Sequence, residues 1–139
     1  MTDGATCVKT PTYHALSMHR PHMGAEALQV EVAADSAGPF GGPALSATAS
    51  GRPGRVAVTT INRKYRHSVT VNIRAPGSVA SSWLLTAESP DAGNDPANPE
   101  RVSPRRLVVD DSRAGRCTVT LPPHSMTTIK FATNGANRD

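Results

Sequence analysis

Between residues 55 and 73 the chain reads RVAVTTINRKYRHSVTVNI. Val56 and Val58 fall on one side of an extended backbone, and Ala57, Thr59 and Ile61 on the other. A second run alternates Val69, Val71 and Ile73 with Thr70 and Asn72. Period-two alternation of β-branched residues predicts strands with one buried face. The polar NRKYRHS between the runs suits a longer hairpin loop, so the two runs are expected to pair as a β-hairpin. One hairpin cannot bury its own apolar face, and the rest of the chain must cover it.

The same pattern extends in both directions. Residues 28–32 (LQVEV) alternate and predict a strand, and 44–50 (ALSATAS) predict a weak one built from small residues. Residues 79–87 predict a strand carrying Trp83, 106–109 a short strand, and 116–121 with 125–131 a last hairpin around Pro122, Pro123 and His124. Gly and Pro punctuate the gaps: 35–43 read as loop, and 51–54 and 111–115 as turns. Residues 88–104 hold Pro90, Pro96, Pro99 and Pro104 without periodicity and read as a long ordered or semi-ordered loop, a kind often functional or interfacial. The polar tail 133–139 is expected to be disordered.

Only residues 10–20, TPTYHALSMHR, read as helix, with Thr10 as N-cap, Pro11 in the first turn and Pro21 as terminator. Tyr13 and Leu16 share a face with Arg20, and Met18 lies nearby. No second helix is available to cover them, so this face is expected to pack poorly and to promote self-association, giving a homo-oligomer. The fold class implied is all-β: an antiparallel, jelly-roll-like β-sandwich of about eight strands preceded by one short N-terminal helix. Its expected core includes Val56, Val58, Val69, Val71, Trp83, Leu85, Val119, Leu121 and Ile129.

Composition narrows the picture. Hydrophobic residues are 37% and aromatics 4%, which suits a thin core of Val, Leu and Ala. A length of 139 residues fits one domain. No apolar run is long enough to span a membrane. MTDGATCVKT lacks a charged-then-apolar signal pattern, so a cytoplasmic location is expected. The net charge of +4 comes mostly from arginines scattered along the chain; without an aromatic-basic platform they read as solvated surface, and no nucleic-acid partner is expected. Cys7 and Cys117 form no C-x-x-C pair and are expected to be free thiols.

Glu88, Asp91, Asp95, Glu100, Asp110 and Asp111 are the carboxylates of interest, but all fall in loops or at strand ends among polar neighbours, and Asp110 and Asp111 read as a turn start. His14, His19 and His22 cluster at spacings that match no zinc-hydrolase helix and have no carboxylate between them. There is no G-x-S-x-G and no glycine-rich phosphate loop. No catalytic, cofactor-binding or metal-ligating residue is assigned, and no cofactor is expected.

Four segments nonetheless form an ordered set: TPTYH followed by RPHMGAEAL (residues 10–28), INRKY (61–65), NPERVSP (98–104) and LPPHSMTTIKF (121–131). In order and spacing they resemble the C-terminal region of α-L-arabinofuranosidases of glycoside hydrolase family 51. The resemblance implies that residues 1–22 are the end of the last strand, loop and helix of a (β/α)8 catalytic barrel. It implies that 23–132 are the β-sandwich packed on that barrel. The family removes terminal α-L-arabinofuranosyl groups with retention, as part of L-arabinose metabolism, which requires two carboxylates roughly 5 Å apart. Those glutamates lie on earlier barrel strands, so the resemblance places neither in this chain; the chain alone is expected to be inactive and to meet arabinose-containing saccharides only indirectly. Where the family has an acidic residue and an aromatic, this chain has Ser17 and His19. Of a His-Asn-Thr-Phe-like run, at residues 93–96, only Asn94 is kept. The competing reading is a free-standing carbohydrate-binding or structural sandwich, for which Trp83, Tyr65, Tyr13, Phe40 and Phe131 are the whole aromatic supply.

Overall fold

The computed structural model describes residues 2–4, 6–33 and 42–133. Most of the expected loop 35–43 and of the tail 133–139 lies outside the described residues. A two-stranded ribbon, β1 (Thr2–Asp3) and β2 (Thr6–Cys7), leads into helix α1 (Pro11–Met18) and a 3-10 turn (Arg20–His22). Nine further strands follow: β3 (Glu26–Leu28), β4 (Leu45–Arg52), β5 (Arg55–Asn62), β6 (Val69–Arg74), β7 (Ser78–Leu85), β8 (Arg105–Arg106), β9 (Val109–Arg113), β10 (Arg116–Leu121) and β11 (Ser125–Ala132). They form two antiparallel sheets in a sandwich-like arrangement: six strands in the order β3-β4-β5-β11-β7-β8, and three in the order β6-β10-β9.

Val56, Val58, Val119, Leu121 and Ile129 lie in the core as alternation predicts, whereas Leu85 and Trp83 belong to a second cluster with Met18, and Leu84 takes the inner position on β7. Val56, Val58, Ile129 and Phe131 of the larger sheet meet Ile73, Cys117, Val119 and Leu121 of the smaller one. Val71 packs against this cluster only partly buried, and Val69 is half-exposed. Both line an apolar groove of about 670 Å³ that continues past β6 under residues 28–33, because the smaller sheet covers only part of the larger one. Thr60 and Thr127 face each other on the same inner face with their hydroxyls hydrogen-bonded, so two polar groups sit in the core already satisfied.

Pairing corrects several expectations. Residues 55–62 and 69–74 do not form a hairpin: β5 pairs with β4 and β11, while β6 pairs with β10 in the other sheet. The NRKYRHS segment crosses between sheets, pinned where the Asn62 amide donates to the carbonyls of His67 and Pro122, both 2.9 Å away. Residues 116–121 and 125–131 are likewise strands of different sheets. The strand expected at 106–109 is split, β8 joining β7 and β9 joining β10. Asp110 and Asp111 stand on β9 rather than opening a turn, and the strand expected at 28–32 ends at Leu28. β5 with β6, and β10 with β11, look inward to the same core, so alternation reads identically there for a hairpin and for a crossing.

Part of the outer face of the larger sheet is covered too. Thr10 caps α1, its hydroxyl accepting from Tyr13 N at 3.1 Å, and Pro11 occupies the first turn. The helix stops at Met18, and Pro21 lies inside the 3-10 turn rather than ending α1 directly. The helix packs better than expected: Met18 is buried with Leu85, Val102 and Met126 against Trp83. Between β6 and β7, Gly77 has φ +93, and a Cβ there would collide with the Ala132 carbonyl, so the chain can turn beside β11 only with glycine.

Candidate functional site

The outer face of the larger sheet brings together the residues singled out in the sequence: α1, the histidines and the proline-rich loop. The apolar residues of α1 divide between two surroundings. Met18 faces the sandwich, whereas Tyr13 and Leu16 are 50% and 68% exposed. The Lys9 ammonium stands 5.6 Å over the Tyr13 ring. His14 is buried, edge-on to Tyr13 with ring centroids 5.5 Å apart, and its Nε2 has no hydrogen-bond partner.

His22 anchors the 3-10 turn to the sheet. Its Nδ1 lies 2.6 Å from the Ser50 hydroxyl and its Nε2 2.8 Å from that of Thr59. The proton order follows from the far end, where the Thr128 hydroxyl donates to the Met18 carbonyl at 3.3 Å. That carbonyl can only accept, so Thr59 donates to Thr128 at 3.1 Å. Thr59 therefore accepts from Nε2–H of His22, and Ser50 donates to Nδ1. Burial, and then the neighbouring His19, push His22 below the ordinary histidine pKa. In the sequence the three histidines read as a polar helix end packing against another surface, which fits His22 here, but their spacing does not reveal its partners. Period-two alternation had put Thr59 on a strand, but not the turn above it.

The loop 88–104 is held at Asn94, the one residue of its run that the family resemblance retained. The buried Asn94 amide donates to the carbonyls of Lys9 at 2.8 Å and Val102 at 2.7 Å, and its Oδ1 accepts from Val102 N at 2.6 Å. One side chain thus fastens the loop to the segment entering α1.

The carboxylates are engaged locally. Glu88 accepts from Arg101 Nε at 2.7 Å; a backbone N–H and then Arg101 hold it below the usual carboxylate range. Asp91 accepts from Ser89, Asp95 from the backbone of Ala97 and Asn98, Asp110 from Thr120 at 3.1 Å, and Asp111 pairs with Arg113 at 3.6 Å. Glu100 is exposed. Among the described residues no three His, Cys, Asp or Glu side chains are grouped to hold a metal. Cys7 and Cys117 are free; burial raises the Cys117 thiol pKa. Trp83 is half-buried, with the Arg106 guanidinium 5.2 Å over its ring. No helix among the described residues is long and apolar enough to cross a membrane.

The family model described as α-L-arabinofuranosidase C-terminal domain matches residues 1–125. The structure resembles the glycoside hydrolase family 51 arabinofuranosidase from Xanthomonas axonopodis pv. citri at 28% identity and a TM-score of 0.80, covering 94% of this chain and 28% of that one. It shares its fold with the α-L-arabinofuranosidase of Thermotoga maritima, solved with arabinose, at 20% identity and TM-score 0.73, covering 94% of this chain and 30% of that one. The family 51 enzyme of Bifidobacterium longum matches at 21% identity and TM-score 0.70, over 89% of this chain and 26% of that one. The chain therefore spans less than a third of each of these solved chains. No curated protein matches it.

Proposed function

Because the chain belongs to the family of α-L-arabinofuranosidase C-terminal domains, we propose that it works as the accessory β-sandwich of an arabinofuranosidase, seated on a catalytic barrel. The reaction served is hydrolysis of terminal α-L-arabinofuranosyl groups in L-arabinose metabolism, in the cytoplasm. Both carboxylates of that reaction come from the barrel. Residues 1–22 act as the close of the barrel and 23–132 as the sandwich. The two free cysteines suit a reducing compartment.

The observation that carries this reading is the division of α1. One side buries Met18 on the sandwich; Tyr13 and Leu16 remain in solvent beside the segment that Asn94 fastens. A helix covered on one side and apolar on the other fits between two bodies. Nothing comparable supports a free-standing sugar-binding module, since Trp83 is half-covered and Phe131 is in the core.

The test is a chimaera in which this chain replaces the matching C-terminal portion of the Xanthomonas enzyme. Arabinose release from an aryl arabinofuranoside is expected, with a marked loss when Tyr13→Asp and Leu16→Asp are introduced together. A soluble chimaera whose activity ignores that double change overturns the assignment of this face.

A further inference from the structure

Beyond the helix, the outer face of the larger sheet ends in a cluster of cations. Arg52 and Arg55 oppose each other where β4 turns into β5. Lys130 stands on β11 opposite Ala57, and Arg20 opens the 3-10 turn. The four line one open pocket of about 570 Å³, with Trp83 and Pro21 among its walls and no carboxylate in its lining. Arg52 donates to the Met23 carbonyl. Among the described residues, the side chains of Arg20, Arg55 and Lys130 make no hydrogen bond or ion pair. The two ion pairs among the described residues, Glu88–Arg101 and Asp111–Arg113, use other residues.

Four like charges around one concavity repel one another and raise the local concentration of anions. Three of the four are guanidinium groups, whose planar forks match oxyanions in paired hydrogen bonds. A singly charged carboxylate would leave most of this charge uncompensated, whereas a doubly charged phosphate neutralises more of it. The pocket also falls in the size range of small-ligand sites. We propose that it is an anion site for a phosphate-class oxyanion, either the free ion or one carried on a small sugar. Ser17 and Met18 of α1 line the pocket but Tyr13 and Leu16 do not, so the proposal does not rest on the reading of those two side chains.

The test uses the full 139-residue chain. Inorganic phosphate, a hexose phosphate and the neutral hexose are each titrated at constant ionic strength, with chloride making up the difference. Binding is read by thermal unfolding and by phosphorus NMR line width. A saturable rise in Tm with phosphate and none with the neutral hexose is expected. The paired substitution Arg55→Gln with Lys130→Gln should weaken binding at least about tenfold, since two charge-assisted contacts are lost. Arg116→Gln, on β10 of the other sheet, should leave it unchanged. Tighter binding of the hexose phosphate assigns the carried group, and equal affinity assigns the free ion. No saturable response, or one that survives the paired substitution, overturns the proposal.

Discussion

The imidazole of His22 lies 2.8 Å from the Thr59 hydroxyl, and this contact ties the turn after α1 to a central strand of the larger sheet. The bond is part of a directed chain from Ser50 through His22, Thr59 and Thr128 to the Met18 carbonyl. The helix is thereby held by polar contacts as well as by Met18.

Acidification should loosen that attachment. His22 is pushed below its ordinary 6.5 in the folded chain, by burial first and by His19 second. Between 6.5 and the folded value the unfolded chain binds the extra proton and the folded chain resists it. The contribution is therefore complete above 6.5 and is lost as the pH falls from there through the folded pKa. Urea midpoints measured from pH 7.5 down to 5 should fall more steeply for the parent than for His22→Gln; parallel curves would remove His22 from the account.

Asn94→Ala should cost on the order of 1–3 kcal/mol, because it strands the buried Val102 N–H and frees two carbonyls. Limited proteolysis should then cut within residues 88–104 faster than in the parent. A protected loop would mean that Val102 packing alone holds it.

Core truncations should follow the burial. Ile129 is fully buried between the sheets, and Ile129→Ala should cost about 2–5 kcal/mol by denaturant titration. Val71 borders the open groove, so Val71→Ala should cost clearly less. Equal costs would mean that the groove is closed in solution.

Tyr13→Ser with Leu16→Ser should leave the unfolding midpoint within about 0.5 kcal/mol of the parent, as exposed sites do. It should also reduce any self-association seen by sedimentation. Removing residues 1–22, in contrast, uncovers Met126 and Leu85 and should destabilise the sandwich, because Met18 is part of that cluster.

The alternation of Val56, Val58, Val119, Leu121 and Ile129 was legible because each side chain reports the face it buries. Partners were not legible. NRKYRHS and PPH are each compatible with a hairpin, and what takes them across the sandwich is the long-range pairing of β11 with both β5 and β7. Burial of the outer face was hidden as well. Thr59 and Thr128 look like solvent-facing strand residues until α1 and His22 lie over them. Trp83 illustrates the same limit: strand position suggested core, whereas the structure leaves it half-buried beneath Arg106. The thiols, the N-cap at Thr10 and the loop at 88–104 followed from local chemistry and stand as read.

The central claim is that this chain is an accessory sandwich whose carboxylates serve structure. The most direct measurement is release of arabinose from an aryl arabinofuranoside by the purified 139-residue chain, set against a heat-killed control. The account predicts no release above the control, because Glu88, Asp91, Asp95, Asp110 and Asp111 are each committed to a local hydrogen bond or ion pair. Heat-labile release that disappears on substituting any of these carboxylates would contradict it.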